Sequence, residues 1–195
     1  MTSDTRLMLL DTSSLFYRAF FGVPSSFTSP TGEPVNAVRG LLDFMARLIR
    51  DYSPTHVIAC WDDDWRPALR TDAVPSYKAH RVADTGSEEN SEEVPEQLRT
   101  QIPMIINALA AFGIARVGVA GFEADDVIAS YCVRAQGPVR IVTGDRDLFA
   151  LVNDTSQFVY TRTMGPKDIM TGTNNIVDAK LWGLDDNTTV FYGLR

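Results

Sequence analysis

Two cysteines, two histidines and no surplus of positive charge narrow what this 195-residue chain can do before any motif is read. Cys60 and Cys132 sit among apolar neighbours, in VIACW and ASYCV, so a disulfide framework and a thiolate metal cage are excluded and both read as core packing. His56 and His80 stand at no metalloprotease spacing; one begins a strand pattern, the other lies in a basic stretch, and both read as incidental. The absence of a Gly-rich Walker loop and of a Ser-centred elbow sets aside P-loop nucleotide hydrolysis and the Ser hydrolases. Nowhere are there ~18 consecutive apolar residues, and Arg6 and Asp11 bracket only LMLL, so neither a membrane span nor a signal peptide is read and a cytoplasmic location is expected.

The chain carries a formal net charge of -7, which at first sight argues against nucleic acid, whose binding leaves a basic footprint. Distribution matters more than the sum. Part of the acidity lies in GSEENSEEVPE, residues 86 to 96, a polar run that reads as a solvated segment. With 45% hydrophobic residues the chain can bury the core of one compact domain without staples.

Short runs rich in Val, Ile, Leu and aromatics predict strands at Arg6 to Leu10, Thr55 to Trp61, Arg116 to Ala120, Val139 to Thr143 and Gln157 to Tyr160. Helical periodicity fills the gaps. Val38, Leu41, Leu42, Met45, Leu48, Ile49 and Tyr52 follow Asn36, a candidate N-cap. Leu98, Ile102, Ile105, Ile106, Leu109 and Phe112 form a second set, interrupted by Pro103, where a kink or a break into two helices is expected. A third helix is expected from Glu123 to about Gln136. Strands alternating with helices predict an α/β fold: a mostly parallel sheet flanked by helices, with sites at the carboxyl ends of its strands. Residues 65 to 96 have little apolar periodicity but carry Arg66, Arg70, Lys78 and Arg81, and read as a long excursion from the sheet.

The strand ends carry the chemistry. They finish in LLD with Asp11, ACWD with Asp62, VAGFEADD with Glu123, Asp125 and Asp126, and VTGDRD with Asp145 and Asp147. Carboxylates a few ångströms apart repel by roughly 4 kcal/mol per pair at an effective dielectric near 20. Any one of them could be a helix cap or a dipole partner. Four strand ends together are better explained by cations that neutralise them, and all-oxygen sites suit hard ions such as Mg²⁺ or Mn²⁺. Two such ions can activate a water and stabilise the leaving oxygen of a phosphodiester.

LLDTSSLFYRAFF, SPTGEPVNAVRG, YKAHR, GFEADDVIAS and VTGDRDLFALV, in that order and at these intervals, resemble the bacterial 5′-3′ exonucleases and flap endonucleases, relatives of the 5′-nuclease domain of DNA polymerase I within the PIN-like fold. The resemblance covers residues 6 to 155 strongly and the remainder weakly. It implies one 5′-nuclease domain over residues 1–195, with a helical arch over about residues 65–100. A site of two or more Mg²⁺ or Mn²⁺ ions would be held by Asp11, Asp62, Glu123, Asp125, Asp126, Asp145 and Asp147. Catalysis would fall to Lys78, Arg81, Asp125, Asp126 and Asp145, and DNA contact to Tyr17, Arg18, Arg70, Tyr77, Lys78 and Arg81. From the residues alone, PSYKAHR offers an aromatic face and two cations, the combination a single-strand channel uses.

The implied substrate is DNA with a free 5′ end, as a flap, nick or gap, with DNA polymerase I and ligase as functional partners, a monomeric state and a place beside the nucleoid. SPTGEPVNAVRG resembles the segment that meets duplex DNA. Thr12 stands where the family commonly has Gly, and Leu69 where an aromatic is frequent. VFYGLR resembles the lead into a Gly-Asp-x-Ser-Asp element that opens the family's helix-hairpin-helix region; with Arg195 the last residue, a fragment of a longer nuclease or a shortened protein is expected. The reading from another class is a non-catalytic module: a receiver-like phosphoacceptor domain, which gathers Asp residues around one Mg²⁺, or a degenerate nuclease kept for DNA or partner binding. A small PIN-type ribonuclease is the related enzyme alternative.

Overall fold

The computed structural model describes residues 5–82, 94–153, 155–160 and 188–190. Six strands form one sheet: β1 (Leu7–Asp11), β2 (His56–Cys60), β3 (Ala115–Val117), β4 (Val139–Thr143), β5 (Ser156–Tyr160) and β6 (Thr188–Val190). They lie in the order β3-β2-β1-β4-β5-β6, and every neighbouring pair is parallel. Successive crossovers therefore run one way from β1 to β3 and the other way from β4 to β6. The reversal lies between β1 and β4, where an open α/β sheet forms a crevice beyond its carboxyl ends.

Alternation along β1 sends Met8 and Leu10 to one face and Leu9 to the other, and all three are buried. On the first face Phe16 of α1 (Thr12–Gly22), Phe44 and Leu48 of α2 (Asn36–Tyr52), and Ile105 and Leu109 of α5 (Gln101–Ala111) join Met8 and Leu10 in one core. On the second face Val127 and Ile128 of α6 (Ala124–Arg134) pack with Leu9, Cys60, Ile141 and Phe158. Cys60 is fully buried, and burial first, then the nearby Asp11 carboxylate, pushes its thiol well above the usual range. α1 and α2 cross closely, since a Cβ at Gly40 would come within 2.8 Å of the Ala19 Cβ.

Several local expectations are corrected. Asn36 is the first residue of α2 rather than its cap, and its amide donates to Phe20 O (2.8 Å) and Val23 O (3.1 Å). The second helical set is broken at Thr100, between α4 (Glu96–Arg99) and α5. Pro103 is not the break; it falls in the first turn of α5, where a missing N–H costs nothing. β3 is shorter than the apolar run suggested, because its partner β2 is paired only from Ile58 to Cys60. α6 begins after Glu123 as expected and ends at Arg134.

The excursion that follows β2 carries α3 (Ala68–Ala73) and a 3₁₀ turn over Ala79–Arg81. Arg66 braces it internally, donating to Tyr77 O at 2.7 Å and Pro75 O at 3.0 Å. The acidic run at 86–96 lies outside the described residues apart from its last three, as does the closing VFYGLR apart from the backbone of its first residue. Among the described residues no helix is long and apolar enough to cross a membrane.

Candidate functional site

A cavity of about 680 Å³ opens at the carboxyl edge of the sheet, beyond the β1/β4 reversal. Its walls include six carboxylates, Asp11, Asp62, Glu123, Asp125, Asp145 and Asp147, and the basic side chains of Arg18, Lys78, His80, Arg81 and Arg146. Tyr17, Trp65, Ser13 and Ser14 complete the polar and aromatic lining. Parallel strands account for this convergence. Asp11 ends β1, Asp62 follows β2, Asp145 and Asp147 follow β4, and Glu123 and Asp125 open the helix that follows β3.

Capping and clustering use the same residues. Asp11 Oδ1 accepts from Ser14 N at 3.2 Å and caps α1. Asp62 Oδ1 accepts from Ala124 N at 2.8 Å, at the start of α6, and Asp145 Oδ1 accepts from Asp147 N at 3.0 Å. Helix N-termini thus hold the carboxylates in place through orphan N–H groups. Gly144 N donates to Ser14 Oγ at 3.0 Å, which ties the end of β4 to the start of α1 across the reversal.

The cluster is electrostatically loaded. Burial pushes the Asp125 carboxyl up to about 7, with Asp11, Asp145, Asp62 and Glu123 adding repulsion. Burial likewise pushes Asp11 up to about 6; the hydrogen bond from Thr143 Oγ1 opposes the rise, and the charges of Asp62 and Asp145 add to it. Two carboxyls held this far above the usual range mark a buried site in which like charges crowd.

The excursion supplies charge at one point. Arg70 Nε donates to Glu123 Oε2 at 3.0 Å and Arg70 Nη2 to Asp126 Oδ1 at 3.0 Å, so one guanidinium spans the two acids. Tyr77 OH donates to Glu123 Oε2 at 2.8 Å, and Lys78 Nζ donates to Glu123 Oε1. Burial raises the Tyr77 hydroxyl, and its bond to Glu123 raises it further. Burial draws the Arg70 guanidinium down, but the Asp126 and Glu123 carboxylates more than offset this and the net shift is upward.

Of the residues expected from sequence, Asp11, Asp62, Glu123, Asp125, Asp145, Asp147, Tyr17, Arg18, Lys78 and Arg81 line the cavity. Asp126 does not; its Oδ2 accepts from Glu123 N at 3.1 Å in a capping box, while its Oδ1 takes Arg70. Arg70 and Tyr77, expected on DNA, bond to Glu123 at the start of α6. Sequence reasoning passed over Arg146 and set His80 aside, yet both line the cavity. Arg146 stands between two site aspartates in VTGDRD, and that placement was the available signal.

The donor set consists of carboxylate oxygens and suits a hard divalent ion. As the side chains stand, however, no three acidic, imidazole or thiol groups among the described residues are gathered closely enough to hold one ion. Thr143 and Ser14 bond to Asp11, and the excursion engages both oxygens of Glu123.

The family described as 5′-3′ exonuclease, N-terminal resolvase-like domain, matches residues 6–180. A 5′-3′ exonuclease of Streptomyces coelicolor is 57% identical over 172 residues, covering 88% of this chain and 56% of that protein. A 5′-3′ exonuclease of Mycobacterium tuberculosis is 52% identical over 151 residues, covering 76% and 48%. DNA polymerase I of the same species is 38% identical over 160 residues, covering 80% of this chain and 16% of the polymerase. The chain thus spans about half the length of the curated exonucleases it matches. Among solved structures, bacteriophage T5 5′-exonuclease with bound zinc ions aligns with a TM-score of 0.55 at 19% identity, over 80% of this chain and 55% of that one. The T5 flap endonuclease in a complex with DNA and metal ions aligns at 0.53 and 19%, over 80% and 54%. At that identity the likeness concerns the fold, which is PIN-like.

Proposed function

The chain belongs to the family of 5′-3′ exonuclease N-terminal, resolvase-like domains, and from that premise we propose that it hydrolyses phosphodiesters of DNA bearing a free 5′ end, as a 5′-3′ exonuclease and 5′-flap endonuclease in replication and repair. The observation that carries this reading is one cavity lined both by six carboxylates and by Arg18, Lys78, Arg81 and Arg146. The carboxylates suit Mg²⁺ or Mn²⁺, and the basic groups suit the phosphates of a strand.

Asp11, Asp62, Glu123, Asp125, Asp145 and Asp147 would hold the ions, two or more of them, and Asp126 would support Glu123 through Arg70 and the helix cap. Bound there, the ions would offset the carboxylate charge and supply the activation of water and the stabilisation of developing negative charge that phosphodiester hydrolysis needs. The chain's own contributions are positional. Lys78 and Arg81 would steady the scissile phosphate and its developing charge, Arg18 a neighbouring phosphate, and Tyr17 a base. The excursion over residues 65–82 would form the base of an arch, continuing to about residue 100, through which a single-stranded 5′ end passes. We further propose a monomer in the cytoplasm, beside the nucleoid, that hands its nicked or gapped products to a polymerase and a ligase.

The test is release of a 5′-labelled flap from a branched duplex, with Mg²⁺ or Mn²⁺ and with EDTA as the control. Metal-dependent release that Asp125→Asn reduces by at least ~100-fold supports the reading. Two divalent ions per chain would accompany it. Uptake of one ion with phosphate transfer from an acyl phosphate onto an Asp would replace it with a receiver, and preference for single-stranded RNA over flap DNA would replace it with a ribonuclease.

A further inference from the structure

Glu123 is 3% exposed, and the side chains that bond its carboxylate come from a nine-residue stretch of the excursion. Arg70 and Tyr77 share Oε2, and Lys78 takes Oε1. Lys78 is held a second time through Trp65 O at 3.1 Å, and its ammonium lies 5.4 Å from the Tyr77 ring centroid. Its backbone is left-handed, with φ 50 and ψ 21, a conformation that a residue with a Cβ adopts only against an energetic penalty. The clamp therefore holds Lys78 in an unfavourable backbone state so that its ammonium reaches a carboxylate of the site. Lys78 also lines the cavity, as do Asp125 and Asp11.

A carboxylate oxygen that accepts from an ammonium cannot also ligate a small divalent cation without bringing two positive charges together. We propose that Lys78 and a divalent cation are alternative occupants of Glu123. Cation uptake displaces the Lys78 ammonium and the Tyr77 hydroxyl and frees both toward a phosphate in the cavity, while Arg70 keeps the excursion attached through Asp126. The inference rests on the reading of the cavity as a divalent-metal site. Because the two equilibria share one carboxylate, whatever weakens the clamp strengthens cation binding by the same factor.

The experiment is Mn²⁺ binding to the full chain without DNA, read as free Mn²⁺ by electron paramagnetic resonance, for the parent, Lys78→Met, Tyr77→Phe and Arg81→Met. Lys78→Met is expected to tighten Mn²⁺ binding about tenfold and Tyr77→Phe about threefold, each having lost a hydrogen bond to a charged group. Arg81→Met removes the same charge as Lys78→Met from the cavity wall and is expected to tighten binding by less than about threefold, as a through-space effect alone. Unchanged or weaker binding by Tyr77→Phe, or equal effects of Lys78→Met and Arg81→Met, overturns the exchange while leaving the metal site standing. No Mn²⁺ binding by the parent or any variant overturns the metal-site reading and the exchange with it.

Discussion

Gln101 and Asn36 are hydrogen-bonded side chain to side chain at 2.9 Å, both buried, although 65 residues separate them. Gln101 Oε1 accepts from Ala37 N at 2.8 Å and so caps α2, while Asn36 holds the carbonyls of Phe20 and Val23 at the end of α1. One amide pair thus fixes three chain segments, including both ends of the 24–35 loop. Gln101→Leu leaves the Ala37 N–H and the Asn36 amide buried and short of partners, at a cost of about 3 kcal/mol. Urea unfolding monitored by circular dichroism checks this, and a loss below about 1 kcal/mol would mean that the network is dispensable.

Gly40 marks a second tight point. A methyl there meets the Ala19 Cβ and the Val23 Cγ2, both at 2.8 Å, so α1 and α2 must part by several tenths of an ångström. Gly40→Ala is expected to destabilise the chain by about 1–3 kcal/mol, despite the better helix propensity of alanine. Should thermal unfolding show it stabilised, the crossing is looser than described.

The raised carboxyls set a pH dependence. Asp11 and Asp125 bind protons more tightly folded (about 6 and about 7) than an ordinary Asp carboxyl, which titrates near 3.8, so the native state holds more protons between those limits. Their contribution is fully present below pH ~4 and is lost as pH rises through 6 and 7. In EDTA the urea midpoint is therefore expected to fall between pH 5 and pH 8, and added Mg²⁺ to restore more stability at pH 8 than at pH 5. Thr143→Val removes the hydrogen bond that opposes the rise at Asp11 and is expected to steepen the fall. A midpoint that climbs with pH in EDTA would contradict the account.

Arg146 lines the cavity between two site aspartates. If it faces a phosphate when DNA is bound, Arg146→Ala lowers flap affinity and makes the log–log salt dependence of binding shallower by about 0.7–0.9. Binding measured in Ca²⁺ or EDTA across a salt series separates this from effects on chemistry; an unchanged slope assigns Arg146 to the protein rather than to DNA.

Much of this was legible in the sequence, because it is local. Apolar runs of strand length alternating with periodic helices specify a parallel α/β sheet, and in such a sheet residues at strand ends share an edge whatever the strand order. That is why the positions of Asp11, Asp62, Glu123, Asp125, Asp145 and Asp147 in the sequence already imply the one cavity that they line. The register and order of the strands, the cap of α2 by Gln101 and the clamp on Glu123 were not legible. The clamp joins residues 45 to 53 positions apart and the cap joins residues 64 apart. Periodicity and capping patterns report only neighbours within a turn or two, whereas these partners are chosen by how the crossovers stack on the sheet. Sequence therefore determined which charges meet at the edge; the tertiary structure decided which of them Lys78 and Arg70 neutralise and Tyr77 hydrogen-bonds, because buried carboxylates take whatever donors the packed chain brings within reach.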